Sequence, residues 1–131
     1  MSKQFKDVIT FIKEVRQVEL PTKFRKLLKD EALDRENYMH EELREFHYAV
    51  EEHDAFSQLD AMIDLVYFAY GTAAHMGVTP DQWDAAWDQV HKANMKKKAG
   101  VKEGREVKGV DATKPEGWQE PDFSYIFKHI F

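Results

Sequence analysis

Residues 55–76, AFSQLDAMIDLVYFAYGTAAHM, decide the fold. Between Leu59 and Ala73 only Asp60, Asp64 and Thr72 carry polar side chains, the tyrosine hydroxyls aside. A run this long, apolar almost all round, predicts a helix enclosed by other helices, with Gly77 as its C-terminal stop. Upstream, Met39, Leu43, Phe46 and Val50 recur at helical spacing and predict a second helix from about Arg35 to Glu52. Further back, Phe5, Val8, Ile9, Ile12 and Val15 mark an amphipathic helix that ends before Pro21, and residues 22–34 read as a connector. Downstream, Thr79 and Pro80 open a fourth helix carrying Trp83, Ala86, Trp87 and Val90 and running to about Lys97.

From Lys98 onward Gly100, Gly104, Gly109, Pro115, Gly117 and Pro121 break any long element, leaving an irregular tail with a final turn in FSYIFKHIF. Four helices and no convincing strand imply an all-α bundle. The expected organisation is one domain over 1–131, with a helical core at 1–97 and a tail at 98–131. Phe123, Tyr125, Ile126, Phe127, Ile130 and Phe131 are too apolar for water, so the tail should pack on the core or on a neighbouring subunit.

Composition narrows the function classes. The chain has 131 residues, 43% hydrophobic and 13% aromatic, enough to build a core. A net charge of −5 does not favour nucleic acid or an anionic membrane as partner. With no cysteine there is no disulfide, no thiolate zinc site and no cysteine nucleophile, which suits a reducing cytoplasm. The N-terminal stretch is interrupted by charge every few residues and reads neither as a signal peptide nor as a membrane span.

Charge is segregated along the chain. Residues 30–64 carry twelve acids against Arg35 and Arg44, whereas residues 96–109 carry six bases against Glu103 and Glu106. At about 100° per residue, Glu42 and Glu45 flank the apolar stripe of the second helix one turn apart, with Glu41 turned further to solvent. Asp60 and Asp64 share one side of the third helix. Glu41, Glu42 and Glu45 alone are the pattern of a solvated helix face. Acids inside an apolar helix are not, because a buried carboxylate needs a cation. Two arginines cannot neutralise four clustered acids, so a divalent ion is the natural complement, and oxygen-only ligands favour magnesium or manganese over zinc. The six histidines show no ligand spacing, and Lys96, Lys97 and Lys98 alone read as a helix end offsetting its dipole.

EELRE at 41–45, DAMIDLVYFAYG at 60–71 and VHKANMKK at 90–97 together resemble the all-α nucleotide pyrophosphohydrolase superfamily, which includes MazG and the phosphoribosyl-ATP pyrophosphohydrolases. The resemblance implies a MazG-like bundle, dimeric or tetrameric, that uses Mg²⁺ (or Mn²⁺) to split a nucleoside triphosphate between its α and β phosphates. By position, Glu42, Glu45 and Asp64 match the superfamily's metal ligands and Glu41 leads the glutamate block. The second motif often reads ExxD, but Ala61 stands three before Asp64 here, and Asp60, four before, is the acid that can substitute. Asn94 and Lys97 match the element that faces the nucleotide, and Lys108 lies in the tail that closes over the site in relatives. Tyr38, Tyr67, Trp83 and Phe24 are candidates to stack on the base.

The expected activity is control of the nucleotide pool by (d)NTP pyrophosphohydrolysis. Phosphoribosyl-ATP hydrolysis in histidine synthesis is the alternative within the class. A non-catalytic helical dimerisation module is the alternative outside it. A di-iron carboxylate bundle ranks last, since no Glu-x-x-His occurs.

Overall fold

The structure, a computed structural model, describes residues 2–104 and 107–127. Four long helices carry it: α1 Lys3–Glu14, α2 Lys29–Glu51, α3 Ala55–His75 and α4 Pro80–Met95. The chain forms two compact units, Met1–Pro80 and Asp81–Phe131, with the boundary at the first turn of α4. None of the described helices is long and apolar enough to cross a membrane.

In the first unit α1 buries Phe5, Val8 and Ile12, three members of its expected stripe. It stops at Glu14, well short of Pro21; Val15 is 67% exposed and Gln17 takes a φ of +57°, which turns the chain out of the helix. α2 begins at Lys29, inside the segment expected as a connector. The Glu31 carboxylate is the reason: it accepts the N–H of Leu28 at 3.1 Å and both guanidinium nitrogens of Arg25 at 2.8 and 2.9 Å, pinning the first turn. α3 ends where the sequence predicts. Gly77 follows at φ +79°, where a Cβ would run into the backbone carbonyl of Lys23, so only glycine fits.

α2 faces α3 through a seam that differs from the expected one. Arg35 and Ala49 are its buried residues, whereas Leu43 and Val50 are 48% and 44% exposed. On a helical projection Arg35, Met39, Glu42, Phe46 and Ala49 fall within about 80° of arc, with Leu43 and Val50 at its edge. Polar side chains therefore occupy the seam. α3 is also less enclosed than its composition implies: Leu59, Met62, Ile63 and Val66 are roughly half exposed. α2 packs on the side that carries Asp64 and Phe68, whereas Met62, Ile63 and Val66 line an open groove beside Gln4, Asp7 and Val8 of α1.

In the second unit α4 ends at Met95, two residues before the expected limit. An antiparallel ribbon follows, β1 Lys98–Gly100 against β2 Asp111–Thr113, with Lys98 opposite Thr113. It corrects the expectation of a tail without strands; three-residue strands are too short to show a period. The ribbon is small, and the chain is all-α in class. The expected final turn is α5 Ser124–Phe127, started by Asp122, whose Oδ1 accepts the N–H and the hydroxyl of Ser124. Phe127 is buried, Tyr125 is 74% exposed, and His129, Ile130 and Phe131 lie outside the described residues.

Candidate functional site

α2 and α3 run antiparallel: Arg35 reaches Phe68 and Thr72, and one helical turn pair further along Glu42 meets Asp64. Carboxylate oxygens of Glu42, Glu45 and Asp64 lie within 4.8 Å of one another. Oε2 of Glu42 is shut off from solvent and has no hydrogen-bond partner. Burial, then Glu45, Asp64 and Asp60, push the Glu42 carboxyl up to about 7. Burial, Asp60 and Glu45 raise Asp64 as well. No positive group contributes to either shift, so the cluster is uncompensated among the described residues. Three converging carboxylates, one with an orphaned oxygen, fit a hard divalent cation held by oxygen ligands.

The structure thus brings together Glu42, Glu45 and Asp64. Asp60 is exposed but close enough to act on Glu42 and Asp64 through its charge. Glu41 is exposed and stands outside the converging group.

A cavity of about 460 Å³ opens beside the cluster, with Glu42 and Asp64 in its lining. Phe11, Tyr38, Tyr67 and Phe68 form aromatic walls: Tyr38 stacks on Phe68 with centroids 5.3 Å apart, and Phe11 meets Tyr67 edge-on at 5.5 Å. Tyr38 and Tyr67 were expected as base-stacking candidates; Phe24 and Trp83 do not line this cavity. Arg16 and Arg35 complete it. Arg35 is 5% exposed. Its Nε–H donates to Oγ1 of Thr72 at 3.0 Å and its Nη2–H to the carbonyl of Phe68 at 2.9 Å, with the Tyr38 and Phe68 rings 5.3 and 5.6 Å away. Gly71 makes room for it, since a Cβ there would lie 2.6 Å from Nη2.

Sequence reasoning passed over both arginines as binding groups. Arg35 carried a signal, being seven residues before Glu42 and so on its face. Arg16 carried none, because it follows α1 in irregular chain.

The remaining expected residues are in the second unit. Asn94 and Lys108 are exposed. The Lys97 ammonium lies 5.2 Å from the centroid of Trp118, and Lys114 takes a similar position at 4.8 Å. Trp118 is anchored by its own Nε1–H, which donates to the Ala93 carbonyl at 2.7 Å.

A family model described as phosphoribosyl-ATP pyrophosphohydrolase matches residues 4–94. The match takes in the three clustered carboxylates and both cavity arginines and ends at Asn94, before Lys97 and Lys108. Comparison with curated proteins gave no match.

Proposed function

Because the chain belongs to the phosphoribosyl-ATP pyrophosphohydrolase family, within the MazG-like all-α superfamily, we propose that it is a Mg²⁺-dependent nucleoside triphosphate pyrophosphohydrolase. It would convert a (d)NTP to the monophosphate and pyrophosphate. The observation that carries the reading is the uncompensated cluster of Glu42, Glu45 and Asp64 beside an aromatic-walled cavity of small-molecule size that Glu42 and Asp64 help to line.

Glu42, Glu45 and Asp64 would hold the ion, and Asp60 would deepen the negative potential that draws it in. A divalent cation supplies, when bound, charge neutralisation at the phosphates and a more acidic water. The carboxylates alone would repel a polyphosphate, so they serve the reaction only as ion ligands and as acceptors for the proton of the attacking water. The aromatic walls would orient the nucleoside and exclude water from its base. Asn94, Lys97 and Lys108 are proposed as phosphate-binding residues on the likeness of their sequence to the superfamily's nucleotide-facing elements.

Phosphoribosyl-ATP is the second reading, and the description of the matching family favours it. A pyrophosphate-release assay over the common NTPs, dNTPs and phosphoribosyl-ATP, with Mg²⁺ and with Mn²⁺, separates the two. Asp64→Asn and Glu45→Gln should fold and lose pyrophosphate release; near-normal turnover in both would defeat the proposal.

The exposed side of α3, Leu59, Met62, Ile63 and Val66, supports a homodimer or homotetramer, in which a second copy covers what one chain leaves open. Light scattering of the wild type and of Ile63→Glu tests this. A monomeric wild type at micromolar concentration would end the assembly reading.

A further inference from the structure

The two arginines of the cavity are in different states. Arg35 is buried and its donors are engaged on Thr72 and Phe68. Arg16 is exposed and its side chain makes one hydrogen bond, from Nη1 to Nε2 of His75 at 3.1 Å, so its Nε and Nη2 have no partner among the described residues. His75 is 8% exposed, and its Nδ1 faces Oε2 of Glu31 at 3.9 Å. A buried neutral ring thus holds one prong of the Arg16 fork and leaves the rest free to bind.

Position assigns what it can reach. Seven residues of α2 separate Arg35 from Glu42 on one face, a rise of about 10 Å. Arg16 lies near enough to Arg35 for the two charges to repel, yet neither acts on Glu42 or Asp64. The cavity therefore has an acid end and an arginine end, with Tyr38, Tyr67 and Phe68 between them. A nucleotide whose α-phosphate sits at the acid end lays its base among the rings and brings the far edge of that base to Arg16.

We propose that Arg16 is a specificity-determining residue that reads the base, its fork donating to the adjacent O6 and N7 acceptors of guanine and rejecting adenine. Adenine turns its N6 amino group to the same edge, and a donor-only side chain cannot accept from it. This inference rests on the pyrophosphohydrolase reading above.

The test is pyrophosphate release from GTP and ATP, two purines of equal ring size, with Mg²⁺ below saturation in nucleotide. Wild type should favour GTP in kcat/KM by about tenfold. Arg16→Gln should bring the ratio close to unity by raising KM for GTP. Arg16→Lys, a point charge without the fork, should not restore it. His75→Gln keeps an acceptor for Nη1 and should keep the preference, whereas His75→Leu should lose it. An equal rate on both purines in wild type, or an unchanged ratio in Arg16→Gln, overturns the role of Arg16 and leaves the pyrophosphohydrolase reading standing. Absence of pyrophosphate from every nucleotide overturns both. A preference for GTP also weighs against phosphoribosyl-ATP, an adenine nucleotide.

Discussion

Nε2 of His75 accepts a hydrogen bond from Nη1 of Arg16 across 3.1 Å, joining the end of α3 to the chain that leaves α1. The bond requires a neutral ring. Burial, then the charges of Arg35 and Arg16, hold the His75 pKa below its usual value. The unfolded chain therefore binds more protons here than the folded one, and stability rises with pH. It is fully present above the ordinary histidine pKa of about 6.5 and is lost as pH falls below that value. Thermal melts from pH 7.5 to 5 should fall more steeply in wild type than in His75→Gln, which keeps the acceptor and cannot titrate. Parallel curves would show that the folded and unfolded chains protonate His75 alike and would remove the depressed pKa.

The Glu42 carboxyl responds to pH in the opposite sense. Held up to about 7 by burial and by its acidic neighbours, it makes the ion-free folded state bind more protons than the unfolded chain. Asp64 adds to this in the same direction. Stability of the ion-free protein should fall as pH rises from about 4.5 to 7. Glu42→Gln relieves that cost, on the order of 1 kcal/mol once solvent screening is allowed for. The variant should melt higher than wild type at pH 8 in a chelator, and the rise expected of wild type in millimolar MgCl₂ should be absent from it. A Mg²⁺-induced rise that survives in Glu42→Gln, Glu45→Gln and Asp64→Asn would place the ion elsewhere.

These opposed dependences show which parts of the site were legible in the sequence. Asp64 stood out because an acid in an apolar helix has no bland explanation. Glu42 falls beside the expected seam rather than in it, because Leu43 and Val50 draw the apolar stripe about 50° around α2. Apolar periodicity finds the seam only when apolar residues fill it, and here Arg35 and Glu42 do. Arg16 could not be placed, since its partner His75 lies 59 residues away and its own segment has no period. The start of α2 was readable from Asp30 and Glu31, acids suited to a first turn, but the weak periodicity of residues 22–34 hid it.

Arg35 should prove tolerant to one substitution and intolerant to another. Thr72 Oγ1 already donates to the Phe68 carbonyl at 2.7 Å, so removal of the guanidinium leaves those two groups paired with each other. Arg35→Met keeps most of the volume and removes a charge that burial disfavours, so its stability should lie within about 1 kcal/mol of wild type. Arg35→Ala opens a void beside the stacked Tyr38 and Phe68 rings and should cost about 3 kcal/mol. Urea titrations of the two variants check the contrast. Equal losses would mean that charge rather than volume carries the Arg35 contribution.

Trp118 links the tail to α4 by two kinds of contact that substitution can separate. Its Nε1–H is bonded to the Ala93 carbonyl, and its ring lies near the ammonium groups of Lys97 and Lys114. Trp118→Phe keeps a ring but deletes the donor, and should cost about 1 kcal/mol. Trp118→Leu also deletes the two cation–π contacts, each worth about 0.5–1 kcal/mol at exposed sites. Hydrogen exchange at Lys96 to Gly100 should therefore quicken modestly in the first variant and strongly in the second. If Lys97 meets the phosphates as proposed, KM for the nucleotide should rise severalfold in Trp118→Leu and little in Trp118→Phe, because only Trp118→Leu deletes the ring that holds the ammonium. Equal KM values in the two variants would separate Lys97 from substrate binding and leave Trp118 a purely structural clasp.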